Sequence, residues 1–237
     1  MADQDSSPEF YRFPFKPLWF EAFDDFAEEI SGPYVATSIA SGTFAKTTDE
    51  AYGVAVLSGV ATTDDTGYQL QRDMEIFTLL IGKNTDCFAR LKLSEATQSS
   101  LFMGLAISDT TIQHATTDTV AGGLTISDGV GWYKPDGEAT AYGVIMRDSV
   151  IANTGAIVTL VDATYVTLAV RVTMDPTTLG KGTAYFYADG AIVGALNSLT
   201  MPYSAEEVLT PSVSFKSGSA TGTMTCTVDF LGARQER

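Results

Sequence analysis

Several residue types that carry chemistry are scarce in this chain of 237 residues, which holds two cysteines, one histidine and two tryptophans. Cys87 and Cys226 cannot build a disulfide framework, and their spacing suits no metal site. Both fall at inward-facing positions of apolar segments. They are expected as free, buried thiols, with a single bridge between them left open. His114 stands in the polar stretch TTIQHATTDT, a loop, where a lone histidine is solvated rather than catalytic. Basic residues are also few: 14 against 29 acidic ones, for a net charge of −15. Such a surface repels phosphate, so nucleic acid is not an expected partner. No run of eighteen apolar residues occurs, and no membrane span is expected. The opening MADQDSSPEF has no positive segment followed by an apolar one, so no secretory leader is expected either. Sustained helical periodicity, G-x-S-x-G, a P-loop and a dinucleotide fingerprint are all missing.

What is present is alternation. Hydrophobic residues make up 45% of the chain, ample for a core. In TMTCTVDFL (223–231), Met224, Cys226, Val228 and Phe230 share one face; in TYVTLAVRV (164–172), Val166, Leu168, Val170 and Val172 do. CFARLKL (87–93) turns Cys87, Ala89, Leu91 and Leu93 inward and shows Arg90 and Lys92. Period two is the mark of a strand with one buried face. Further strands are expected in 52–59, 74–81, 101–107, 129–134, 141–147 and 212–215. AYFYADGAIVGAL (184–196) reads as a hairpin turning at Asp189-Gly190, with Phe186 inward and Tyr185 and Tyr187 on the opposite face. DDTG, KPDG and KSGSATG supply other turns. About a dozen closely spaced strands without helices indicate an all-β, two-sheet antiparallel jelly-roll sandwich.

The first residues differ in composition. EFYRFPFKPLWFEAFDDF (9–26) carries eight of the 25 aromatics, and Pro14 and Pro17 forbid a continuous helix. Burial of each aromatic is worth about 1.5–3 kcal/mol, so the segment must lie on something. Residues 1–17 are expected to form an N-terminal arm and 18–237 one sandwich domain. The arm either wraps its own sandwich or reaches a neighbour; the expected contact residues are Phe10, Tyr11, Phe13, Phe15, Trp19 and Phe20.

The run from LWFEAFDDF through GTFA (42–45), YQLQRDMEIFTL (68–79), FARLKLSEATQSSLFMGLAISDT (88–110) and DGVGWYKPDG (128–137) resembles a family of tailed-bacteriophage virion proteins. The resemblance continues through AYFYADGAIVG (184–194), LTPSVSF (209–215) and TVDFLGARQE (227–236), covering most of residues 18–236. It implies a concanavalin A-like sandwich associated with phage heads. On that basis the expectation is a capsid decoration, or cement, protein on the outer surface of the virion. It would be made in the host cytoplasm and bind the major capsid protein as a homodimer or homotrimer. The acidity of the chain suits the outside of a DNA-filled shell better than its inside.

The same fold carries glucanases, which resemble a strand written E-x-D-x-E. Here the stretch is Gln71-Arg72-Asp73-Met74-Glu75. In a strand Gln71, Asp73 and Glu75 would share a face, with the carboxylates about 7 Å apart. A retaining enzyme needs two carboxyl groups, and an amide occupies the nucleophile's position. The Asp73–Glu75 spacing leaves an inverting pair open, but the expectation is no enzyme. The alternative to capsid decoration is a carbohydrate-binding module of a phage fibre or tail, with Trp132, Tyr142, Tyr185 and Tyr187 as glycan contacts. Asp64, Asp65, Asp118 and Asp128 lie in turns that suit calcium, yet no EF-hand spacing links them. No metal and no cofactor are expected.

Overall fold

Threonines, valines and aromatics at alternate positions fit a pleated, half-buried surface, and they place fifteen strands among the described residues. These are residues 19–26, 34–47, 53–61, 63–73, 76–109, 111–113, 119–120, 122–198, 201–202, 208–218 and 222–237 of a computed structural model. The strands are β1 (Trp19–Asp24), β2 (Tyr34–Ile39), β3 (Thr43–Thr47), β4 (Val54–Ser58), β5 (Gly67–Arg72), β6 (Asn84–Leu93), β7 (Ser99–Ala106) and β8 (Gly129–Lys134). They continue as β9 (Thr140–Arg147), β10 (Val150–Thr159), β11 (Val166–Met174), β12 (Gly182–Ala188), β13 (Ala191–Ser198), β14 (Thr210–Ser217) and β15 (Thr225–Glu236).

Two antiparallel sheets result. One has eight strands in the order β13-β12-β11-β6-β15-β4-β3, with β1 pairing β15 beyond the end of β4; the other has seven, β10-β9-β8-β7-β14-β5-β2. The inward residues of both interdigitate in one core that includes Leu91, Val170, Phe186 and Val228 from the first sheet and Met103, Val130, Trp132 and Phe215 from the second. Trp132 crosses the gap: its indole N–H donates to the Ala169 carbonyl at 3.0 Å, and its ring meets Phe186 edge-on at 5.4 Å. Cys87 and Cys226 are both free and fully buried in this core.

A second, smaller core lies outside the seven-stranded sheet. Residues 111–113 and 122–128 lie across that sheet, so that Ile112, Leu124 and Ile126 cover Phe102, Tyr133, Val144 and Met146. Adjacent Trp132 and Tyr133 thus point to opposite faces, as a strand requires, and both are buried. The stretch 74–81 departs from the strand expected there: Met74 and Glu75 lie outside the described residues, and Phe77 makes only an isolated bridge to Leu209.

Candidate functional site

The two outer faces of the sandwich offer different surfaces. On the seven-stranded sheet the glucanase-like strand positions are occupied by amides that hold the covering segment. Gln71 Nε2 donates to the Ile107 carbonyl and to Ser212 Oγ, both at 3.0 Å, while its Oε1 accepts from the Asp109 N–H at 3.0 Å. Gln69 accepts from the Ile112 N–H and donates to the Asp109 carbonyl. Gln113 donates to the Ser214 carbonyl at 2.7 Å. These buried amides satisfy backbone groups that would otherwise be stranded. β5 ends at Arg72, so Asp73 leaves the strand and is exposed in a bend. The shared face expected for Gln71, Asp73 and Glu75 therefore does not form through Asp73, and Glu75 is outside the described residues.

No described residue covers the outer face of the eight-stranded sheet around the middle of β6, β11 and β12. Strand register arranges its side chains in two cross-strand rows. One row runs Tyr187, Ala169, Phe88, Gly232, Phe23. The next runs Tyr185, Arg171, Asp86, Arg234, Glu21. Ala169 stands between Tyr187 and Phe88, and its small side chain leaves a trough between their rings. The strands carrying those rings lie about 10 Å apart, twice the interstrand spacing. A cavity of about 260 Å³ opens there, lined chiefly by Asp86, Phe88, Ala169, Arg171, Tyr187 and Arg234. Gly232 is required by its neighbour: a Cβ there would stand 2.6 Å from the Phe88 ring. Phe88 thus lies over β15 and joins Phe23 and Phe230 in a cluster with ring separations of 5.8–6.3 Å.

The polar row centres on Asp86. Its carboxylate accepts from Arg171 Nε at 2.7 Å and Nη2 at 2.8 Å, and from Arg234 Nε at 2.8 Å. The hydrogen bonds to Asp86 raise the pKa of Arg171. Arg234 also lies over the Trp19 ring, 4.9 Å from its centroid.

The sequence-expected contacts are dispersed by the fold. Tyr185 and Tyr187 stand together on this open face. Trp132 is corrected: it is 1% exposed, packed between the sheets, and out of reach of any surface ligand. Tyr142 is on the other sheet, where its hydroxyl donates to Glu138 Oε2 at 2.9 Å, a bond that raises its pKa. Phe10, Tyr11, Phe13 and Phe15 lie outside the described residues. Trp19 and Phe20 belong to β1; Phe20 turns inward against Phe77 at 5.6 Å. Phe88, Asp86, Arg171 and Arg234 were not singled out from the sequence. The signal was there in the alternation of β6 and β11, but it emerges only once the register brings the strands side by side. Asp65 pairs with Lys216 at 2.7 Å and Asp128 with Arg147 at 3.3 Å. Asp118 and His114 are outside the described residues, and no metal-binding group of three ligands occurs among the described ones.

No family model matches the sequence, and no curated protein resembles it significantly. Solved structures do share its shape. The endo-1,3-β-glucanase of Streptomyces sioyaensis superposes with a TM-score of 0.60 at 10% identity, covering 94% of this chain and 99% of its own. The endo-β-1,4-glucuronan lyase of Trichoderma reesei gives 0.57 at 10%, over 90% and 94%. Lectin I of Ulex europaeus, solved with an α-L-fucose methyl glycoside, gives 0.57 at 10%, over 92% and 98%.

These likenesses correct the expectation that the chain is no enzyme. A glucanase and a lyase carry catalysis on this architecture. The amide at Gln71 speaks only against a retaining mechanism with its nucleophile at that position, and it does not dispose of other chemistry. Both sheets, their antiparallel pairing and their superposition on a glucanase and a lectin lead to one identification: the chain is an all-β, concanavalin A-like jelly-roll sandwich.

Proposed function

We propose that this chain is a carbohydrate-recognising jelly-roll module whose binding face is the outer surface of the eight-stranded sheet. The observation that carries this reading is the trough over Ala169, walled by Tyr187 and Phe88 and bordered by the Asp86–Arg171–Arg234 group. Aromatic walls offer flat apolar area to the C–H faces of a sugar, and neighbouring charged donors and acceptors meet its hydroxyls. Preformed side chains lose little freedom on binding. A glycan array, followed by sugar titration monitored through Trp19 fluorescence, tests it. Tyr187→Ala is expected to weaken binding about tenfold or more, the scale of one lost aromatic contact. An array without a single hit would defeat the proposal. Because the architecture also serves glycan-processing enzymes, the same sugars are assayed for product.

A second reading is favoured by the aromatic cluster at the β1 end of this face, where Phe23 is 50% exposed beside Phe88 and Phe230. Exposed aromatics of this kind are where interface energy concentrates. They continue the aromatic composition of residues 9–18, just ahead of β1. This supports a virion role: a decoration protein on the outer capsid surface, gripping the major capsid protein through residues 10–23 as a homodimer or homotrimer. Binding of purified chain to undecorated heads, lost on deletion of residues 1–17, is the expected result. Head binding that survives the deletion intact would remove the arm from this reading.

A further inference from the structure

Resting on the glycan reading above, we infer that the trough on the eight-stranded sheet selects acidic sugars, those whose ring carries a carboxylate, as in a uronic acid. The hydrogen-bond geometry of the polar row decides this. One buried carboxylate, Asp86, serves two guanidinium groups, Arg171 and Arg234, at the edge of the trough, while Glu21 ends the row opposite Arg234 and is not part of the trough's lining. Asp86 is nearly buried, its side chain 7% exposed, whereas the two arginines keep 38% and 42% of theirs in solvent. The carboxylate occupies Nε and Nη2 of Arg171 and Nε of Arg234. Nη1 of Arg171 and both Nη atoms of Arg234 donate to no described residue. Asp86 thereby fixes the two guanidinium planes while leaving outward-facing N–H groups, which is the arrangement that receives a second carboxylate in a charge-assisted bond.

The location is notable in a chain with twice as many acids as bases. A general affinity for anions is excluded by the net charge of −15, because the long-range field repels polyanions. Only a ligand that also gains short-range contacts overcomes that field. The aromatic walls of Tyr187 and Phe88 specify what those contacts are. They flank the small Ala169 in the adjoining row, so a carboxylate between the arginines places its own ring in the trough. The cavity of about 260 Å³ is below the usual range for drug-sized ligands and suits a single sugar ring of a longer glycan. An acidic peptide would satisfy the arginines but leave the aromatic walls unfilled.

The test titrates the intact chain with D-glucuronic acid and its oligomers, with glucose oligomers of equal length, and with oligoglutamate, each followed by calorimetry and by NMR shifts. Uronates are expected to bind about tenfold or more tighter than the neutral sugars, the scale of one charge-assisted pair, and oligoglutamate more weakly than either. Arg171→Gln and Arg234→Gln should each weaken uronate binding by a larger factor than neutral-sugar binding, so that the preference for uronate shrinks; Tyr187→Ala should weaken both by the same factor. Equal affinity for neutral and acidic sugars overturns the selectivity and leaves glycan recognition standing. Absence of binding to any sugar overturns both, and oligoglutamate binding as well as uronate overturns the sugar in favour of a peptide. The comparison among ligands on the unaltered chain decides the matter even if one variant misfolds.

Discussion

At the scale of single residues, burial decides chemistry more than residue type does. Cys87 and Cys226 are fully enclosed, and desolvation pushes both thiols well above the ordinary cysteine range. The folded chain is therefore expected to resist iodoacetamide at pH 8, reacting only after denaturation, which a mass shift measures. The sign of the linkage follows. A folded-state pKa raised above the unfolded value contributes stability that is complete below about pH 8.5 and is lost as pH rises beyond it. Urea melts from pH 7.5 to 10 should show this decline, and Cys226→Ala should reduce it. Asp86 sets a second expectation. Replacing it with alanine leaves two guanidinium groups facing each other without their carboxylate, at a cost of about 1–2 kcal/mol, limited because both remain well solvated. A chemical denaturation midpoint shift checks the figure.

At the scale of elements, the hairpin β12–β13 shows how much local sequence dictates. Asp189 and Gly190 both take positive φ, 48° and 82°, as a tight two-residue connection demands. Asp189 also ties the tip to β11, its Oδ1 accepting from the Thr167 N–H at 2.8 Å. Nothing crowds Gly190, so the cost of Gly190→Ala is backbone strain alone, about 1–2 kcal/mol in thermal melts. The cover formed by Ile112, Leu124 and Ile126 gives a contrasting prediction. Gln69→Ala strands the Ile112 N–H and the Asp109 carbonyl, and should cost about 1–3 kcal/mol while raising hydrogen exchange at 109–112. The hairpin was legible in the sequence because its signal is two adjacent residues and an alternating pattern. So were the inward faces of β6 and β11 and that of β15 as far as Val228, including both cysteines and Phe186; Phe230, expected on the same face, is turned outward by the irregularity in register between Val228 and Phe230. The cover was not, because QHATTDT reads as polar loop and nothing local announces that Gln69, Gln71 and Gln113 bind it down. The trough was half legible: Tyr185 and Tyr187 follow from alternation, whereas Phe88 and the two arginines join them only through pairing between distant strands. Trp132 misled for the same reason, since a tryptophan in a strand reads equally as core or as contact until the facing sheet is known.

At the scale of the whole molecule, the described residues cover part of one sheet's outer face with Ile112, Leu124 and Ile126 and leave the aromatics and arginines of the other sheet's outer face uncovered. That asymmetry underlies both functional readings and makes their separation an experiment on occupants. Mass measurement in solution is expected to give a dimer or trimer for the virion reading, with the Phe23→Ser variant shifting toward monomer by weakening the aromatic contact. An unchanged mass distribution for that variant would free the β1 end from any subunit contact.

The pairing order has a further consequence for biosynthesis. β6 sits between β11 and β15, partners that follow it at residues 166–174 and 225–236. As the ribosome delivers the polypeptide, Phe88 and the strand beneath it wait with unsatisfied edges for partners made much later. Slow, late-committing closure is the expected result, and a chaperone that shields bare strand edges should raise the yield of native protein more than it raises the rate of any early step.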